Sequence, residues 1–258
     1  MPASELDVFE APEDLNTRIW RYMGFTKFVS MLENGGLFFS RADWLGDPFE
    51  GSLPKHSEIE FRASLKSWYN LPDEEIQRMM AADTHFYRKW MMVNCWHENQ
   101  YESAAMWNLY AKSNEAIAIC STFAKLRDAL DKECHVGIVQ YIDYDQESFP
   151  RDNIFWPFVH KRLSFAHEME IRALKHPAPW NELDAGTKWT NGRWRIADST
   201  FQPPPGVWQK LSLEDLIEEI RVAPTSQQWF KDLVQQTLKR YSLDKPVKQS
   251  SLDEAPFY

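Results

Sequence analysis

The stretch Ile19-Trp20-Arg21-Tyr22-Met23-Gly24-Phe25-Thr26-Lys27-Phe28-Val29-Ser30-Met31-Leu32-Glu33-Asn34-Gly35-Gly36-Leu37-Phe38-Phe39-Ser40 decides the fold class. Its first five residues include β-branched Ile19 and aromatic Trp20 and Tyr22 and read as a strand. Thr26 can cap a helix, and Phe28, Val29, Met31 and Leu32 keep helical spacing up to Asn34-Gly35-Gly36, a stop signal. Leu37 to Ser40 then reads as a second strand. A strand, a helix and a strand follow one another in a short span.

Outward from this unit the pattern stays mixed. Arg41 to Glu50 is a loop punctuated by Gly46, Asp47 and Pro48, with Asp43 placed to make an Asx-type bond. Residues 55–90 read as helical with one break near Leu71-Pro72-Asp73. Met91 to Trp96 is strand-like, Ser103 to Lys112 a helix, Ala116 to Cys120 a buried strand, and Thr122 to Leu130 a helix. Val136 to Tyr144 reads as a strand, Trp156 to His167 as a helix, and Met169 to Leu174 as a strand. Pro177, Pro179 and Pro203-Pro204-Pro205 make 175–206 an irregular insertion with at most one hairpin, around Gly192. Ser212 and Asp215 form a capping signal; Ile220 to Ala223 is a strand, and Ser226 to Tyr241 an amphipathic helix.

Short strands among helices, without steady alternation, predict an α+β fold of small mixed or antiparallel sheets flanked by helices. The expected organisation is a polar lead over 1–16, one domain over 17–252 and a tail over 253–258. At 258 residues, 43% hydrophobic and 14% aromatic, the chain has ample material for a core and is unlike a disordered one.

A net charge of −9 argues against nonspecific binding to nucleic acid, which depends on neutralising phosphates. Cys95, Cys120 and Cys134 are odd in number and unpaired in spacing, which suits reduced thiols in the cytoplasm. The opening MPASELDVFEAPEDL is acidic and lacks the apolar segment of a signal peptide. No apolar run approaches the ~20 residues that cross a bilayer, so no membrane association is expected.

Four groups of residues could carry chemistry. If Glu168 to Leu174 is extended, Glu168, Glu170 and Arg172 share one face while Met169, Ile171 and Ala173 point to the other. The two carboxylates would then sit roughly 7 Å apart. The bland reading is a solvated sheet face with a Glu–Arg pair of little energetic worth. Arg41, Asp43, Asp47 and Glu50 crowd a loop that is either a surface turn or a ligand-closing segment. Their spacing fits no calcium loop, and His97 has no partner at metal spacing, so no metal is expected. Ser103 and Glu102 more naturally cap a helix than catalyse, and Met106, Trp107 and Tyr110 are core-like, though Tyr110 could reach a ribose or a base. Lys161 and Arg162 could hold phosphate or cap a helix end.

Taken in order, several of these pieces resemble a widespread bacterial family called domain of unknown function 2971. The matching stretches are Trp20 to Met23, Leu37 to Asp43, Asp47 to Gly51, Asn94 to Trp96, Glu102 to Tyr110, Val139 to Tyr144, Lys161 to Arg172, and Ile217 to Ala223. Many members carry Tyr-Arg where this chain has Tyr22-Met23, which makes Arg21 the candidate replacement. The strand–helix–strand opening, and Glu170 to Leu174 followed by Ile217 to Val222, are also similar to ADP-ribosyltransferase-type domains. That similarity implies an NAD-holding residue on the first strand and a catalytic glutamate on a late one. It implies Glu170 as catalytic and Glu168 as assisting. Arg21, Tyr22, Arg41, Asp47, Glu50, Trp107, Tyr110, Lys161 and Arg172 would bind ligand, with NAD or a related nucleotide as substrate rather than cofactor. A binding or regulatory module, for instance the sensor or effector of a bacterial stress or phage-defence system with a nucleotide or protein partner, is the alternative. A purely structural ion network is a third.

Overall fold

In the computed structural model the described residues are 6–111, 113–177, 187–190, 193–196, 203–254 and 256. The opening unit folds as strand β1 (Arg18–Gly24), helix α1 (Phe25–Asn34) and strand β2 (Gly36–Arg41). Thr26 lies inside α1 rather than at its cap, because the helix already begins at Phe25 after extended Gly24. Gly35 ends α1 in the left-handed region (φ 59), its N–H donating to Leu32 and Met31 carbonyls, which a residue without a Cβ does at least cost.

The remaining helices are α2 (Lys55–Tyr69), α3 (Asp73–Trp90), α4 (Ala104–Tyr110), α5 (Phe123–Ala129), α6 (Leu213–Leu216) and α7 (Gln228–Arg240). Ser103, Thr122 and Ser212 cap α4, α5 and α6 by accepting from the backbone N–H of Met106, Lys125 and Asp215. Ser103 is therefore a cap, as its position suggests. The remaining strands are β3 (Met92–Glu98), β4 (Ala116–Thr122), β5 (Cys134–Ile138), β6 (Gln140–Ile142), β7 (His160–Arg162) and β8 (Glu170–Lys175). After them come β9 (Thr187–Thr190), β10 (Arg193–Ile196), β11 (Gly206–Lys210), β12 (Glu219–Val222) and β13 (Val247–Gln249).

The fold is α+β, with a nine-stranded mixed sheet whose main path runs β11-β2-β3-β1-β4-β12-β13 and continues from β3 through β8 to β5. Two-stranded pairs β6–β7 and β9–β10 stand beside it. Nine of the described strands gather into the one mixed sheet and four form the two small pairs. β9 and β10 flank Gly192, which, like Pro179, lies outside the described residues.

Several segments differ from expectation. The span 156–167, apolar enough to suggest a helix, contains a 3-10 turn (Trp156–Phe158), the strand β7 and a second 3-10 turn (Leu163–Glu168), with Pro157 opening the first. The strand expected over 136–144 breaks at Val139, where β5 ends in the main sheet and β6 pairs with β7 instead. β11 and β13 had no sequence signal. β11 reaches β2 only because Gly36 is there: a Cβ on it would meet the Gln209 carbonyl oxygen at 2.1 Å. Residues 6–16, polar in sequence, still place Val8 in a core with Phe155 and Phe158.

Alternation along the strands sorts the two sheet faces. Ile19 and Met23, with Ile117 and Ile119, face α1, α5, α6 and α7 and bury Phe28, Leu32, Phe123, Phe230 and Val234. Fully burying one such aromatic or branched side chain stabilises the fold by roughly 2–3 kcal/mol. Trp20 and Tyr22, with Ala116, Ala118 and Cys120, face α4 and its Met106 and Trp107. The small side chains of β4 leave room for that helix.

Candidate active site

A split in the sheet makes the site. β3 pairs with β8 from Met92 to His97, but its other edge is shared by two strands. β1 pairs with it only at Ile19↔Glu98 and Trp20↔His97, and β2 only at Ser40↔Val93 and Arg41↔Met92. Between those contacts β1 and β2 diverge, leaving the β3 edge at Asn94 to Trp96 without a strand. Freed backbone groups need partners, and side chains supply them. The Cys95 carbonyl accepts from Arg21 Nη1 at 2.9 Å, and Asn94 Nδ2 donates to the Phe38 carbonyl at 2.9 Å. A cleft of about 1000 Å³ occupies the split, and strands, α1, α4 and the 41–50 loop all contribute to its walls. That volume lies at the upper end of small-ligand sites.

Registers put Trp20, His97 and Glu170 in one row across β1, β3 and β8. Glu170 is buried and surrounded: Arg172 Nε donates to Oε1 at 2.8 Å, while Lys161 Nζ and Arg172 Nη2 donate to Oε2 at 3.0 and 3.2 Å. Burial alone would raise its proton affinity. Arg172 and Lys161 outweigh burial and hold the carboxyl at a pKa of about 2. Arg172, only 1% exposed, also forks onto Glu50 (Nη1 to Oε1 2.6 Å, Nη2 to Oε2 2.9 Å) and donates to the Phe158 carbonyl at 2.6 Å. Glu50 is pushed up instead, by burial first, with Arg172 opposing. Lys161 bonds Glu168 as well. Three carboxylates, Glu50, Glu168 and Glu170, thus share two cations, Lys161 and Arg172, and the cluster carries one negative charge in excess when all are ionised.

The expected alternating face is corrected in one respect. Met169 is left-handed (φ 38), so β8 begins at Glu170 and Glu168 belongs to the preceding turn. Met169 is 48% exposed rather than part of the apolar face, and the two carboxylates converge on Lys161 instead of standing a strand repeat apart. Ile171 and Ala173 enter the core as expected.

Of the sequence-based candidates, Arg21, Tyr22, Asp47, Glu50, Tyr110, Lys161, Glu168, Glu170 and Arg172 all line the cleft. Arg41 and Trp107 do not. Arg41 pairs with Asp43 at 2.8 Å and lies 5.3 Å over the Trp44 ring, a self-contained surface group that leaves Asp43 no Asx bond; Asp47 makes that bond, to the Phe49 N–H. Trp107 is buried in the core, its indole N–H donating to Glu102 at 2.9 Å. Asp47 is tied to Arg162 at 2.7 Å, joining the loop to β7. The Tyr22 hydroxyl accepts from the Ser103 N–H at 2.7 Å, and burial keeps it protonated. Tyr110 is pushed up likewise, first by burial and then by Glu168, so its phenol is a donor.

His97, Lys27, Trp44, Phe165 and Trp208 also line the cleft and were not singled out for it. His97 was visible only as a lone histidine; the pairing of β3 with β1 and β8 is what brings it here. Arg21 is a cation in the wall with donors to spare: among the described residues its guanidinium hydrogen-bonds only the Cys95 carbonyl and has no carboxylate partner. Burial lowers its proton affinity, and no carboxylate compensates. Among the described residues no group of three or more His, Cys, Asp or Glu side chains could hold a metal ion, and no helix is long and apolar enough to cross a membrane.

No family model matches the chain, and no curated protein matches it. Two solved structures are similar over most of its length. Thermus sp. 2.9 DarT in complex with carba-NAD+ is 11% identical, with 94% of this chain and 98% of that one covered, at a TM-score of 0.38. Thermus sp. 2.9 DarT in complex with ADP-ribosylated ssDNA is 12% identical, with 93% and 95% covered, at a TM-score of 0.36. Agreement this loose carries no weight for function, which rests on the cleft itself.

Proposed function

We propose that the protein is an NAD-consuming enzyme of ADP-ribosyltransferase type, which breaks the nicotinamide–ribose bond and passes ADP-ribose to an acceptor or to water. The observation that carries this reading is the set of charges lining one cleft. Its walls carry the carboxylates of Glu168 and Glu170 together with Arg21 and Lys27, which have no carboxylate partner among the described residues. NAD has the matching form, with a cationic nicotinamide, an anionic diphosphate and two flat rings. Arg21 and Lys27 suit the diphosphate, and Trp44, Phe165 and Trp208 suit the rings.

In this reading the bond from the ribose C1′ to the nicotinamide nitrogen breaks, and its electron pair leaves with neutral nicotinamide. Positive charge then develops on the ribose. The carboxylates of Glu168 and Glu170 in the cleft wall stabilise it, and a carboxylate held in place before the reaction needs no reorganisation. The acceptor oxygen or nitrogen attacks C1′ and gives up its proton. The Tyr110 phenol can donate to a ribose hydroxyl or to the amide.

The test is incubation of purified protein with NAD, reading released nicotinamide by chromatography and adducts by mass spectrometry. Nicotinamide release is expected; its absence, together with no heat of binding for NAD, would sink the reading. A non-catalytic nucleotide-binding module is the second reading, favoured by the saturation of both Glu170 oxygens. Heat of binding without product would select it.

A further inference from the structure

The two glutamates of the cluster are not equivalent. Every Glu170 oxygen is engaged by Arg172 or Lys161. Glu168, with a side chain 13% exposed, is bonded by Lys161 through Oε2, and among the described residues its Oε1 has no partner. Both line the cleft, but only Glu168 has an oxygen left for a ligand.

The backbone spends strain to put it there. Met169 is one of the few described residues outside glycine with positive φ, a conformation disfavoured for a long side chain, and such strain persists only where surroundings enforce it. The enforcing contacts are on the page. Glu98 N–H donates to the Met169 carbonyl at 2.8 Å, Glu170 N–H donates to the Tyr141 hydroxyl at 2.8 Å, and His97 Nδ1 lies 2.6 Å from the Glu168 carbonyl. A carbonyl can only accept, so Nδ1 carries the proton. The other nitrogen then accepts from Asn99 at 3.4 Å, which makes His97 a neutral donor locked on the Glu168 backbone.

We infer that Glu168 is the carboxylate that meets the substrate, that Glu170 is the ionic anchor behind it, and that His97 is a positioning residue acting through the Glu168 carbonyl. This rests on the NAD-consuming reading above. Glu168 Oε1 faces the ribose as charge develops, while Lys161 stays bound to Glu170 and keeps the pair from repelling.

The experiment is steady-state release of nicotinamide from NAD by the full chain and its variants, with Tm measured on each. Glu168→Gln is expected to keep its Tm, to leave KM within about threefold, and to lower kcat about 100-fold or more. Glu170→Gln is expected to lower Tm, with a smaller loss of kcat per folded molecule. His97→Leu should cost about tenfold in kcat, while His97→Asn, whose amide nitrogen falls where Nδ1 does, should restore it at the same Tm. A folded Glu168→Gln variant with wild-type kcat would overturn the assignment and leave the NAD reading standing, as would a His97→Asn variant no better than His97→Leu for the positioning role. A wild-type protein that releases no nicotinamide would overturn both.

Discussion

Two of the buried glutamates, Glu102 and Glu170, sit inside hydrogen-bond networks that differ in charge and in what they face. Glu102 receives five donors: Arg221 Nη1 (2.6 Å), the Ser251 N–H (2.6 Å) and Ser251 hydroxyl (2.7 Å) on Oε1, and the Trp107 indole (2.9 Å) and Ser250 hydroxyl (2.5 Å) on Oε2. Most of those donors are neutral, none of the group lines the cleft, and the result clips the segment after β13 to α4 and β12. Glu170 sits instead among Glu50, Glu168, Lys161 and Arg172, with more carboxylates than cations and one wall open to the cleft. Mostly neutral donors away from the cleft mark a structural clip, and a cluster of carboxylates and cations facing a cavity marks a candidate site. Burial alone does not separate them, since both glutamates are buried.

The contrast can be broken by removing the centre of each network. Arg172→Met removes the guanidinium shared by Glu50 and Glu170 and leaves two carboxylates buried in a low-dielectric setting. Breaking a buried pair on one side costs about 3–5 kcal/mol, so urea denaturation should show the largest loss here. Glu102→Ala leaves the Trp107 and Ser251 N–H groups and the Arg221 guanidinium short of an acceptor. About 3 kcal/mol of stability should go, while NAD binding by the folded fraction stays within about twofold.

Acid sharpens the same contrast. The folded pKa of Glu170, about 2, lies below the unfolded value near 4.5. Its contribution is therefore present above pH ~4.5 and lost as pH falls through ~2; the span of ~2.5 units corresponds to roughly 3 kcal/mol. Glu50 runs the other way, since its raised folded pKa favours the protonated form and its charge becomes a cost as pH rises. Melting temperature against pH should fall more shallowly below pH ~4.5 in Glu170→Gln than in the wild type. The smallest effect is expected at Arg21→Met. It forfeits one hydrogen bond, about 1 kcal/mol of stability, yet should weaken NAD binding about tenfold by calorimetry.

Local signals were legible wherever a short-range rule acts. The residues of β1, α1 and β2 carry their own periodicity, and Gly35 stops α1 because its φ demands it. Ser103, Thr122 and Ser212 cap helices through bonds three residues long, and the break at Leu71 to Asp73 separates α2 from α3 as its proline requires. The span 156–167 misled because aromatic and aliphatic residues at helical spacing also suit 3-10 turns around a short strand whose partner, β6, lies elsewhere. β11 and β13 were silent because each is held by a neighbour distant in sequence, β2 and β12.

By itself the sequence determined the fold class, most of the elements and the presence of an acidic–basic cluster at 168–172, all consequences of composition and spacing along the chain. Tertiary structure decided which side chains share a space. It set Arg41 and Trp107 aside, brought in His97 and Lys27, and turned an alternating charged face into a converging one through a single left-handed residue, Met169. Those outcomes depend on where β1 and β2 leave the edge of β3, a contact among segments far apart in sequence, and no local pattern encodes that divergence.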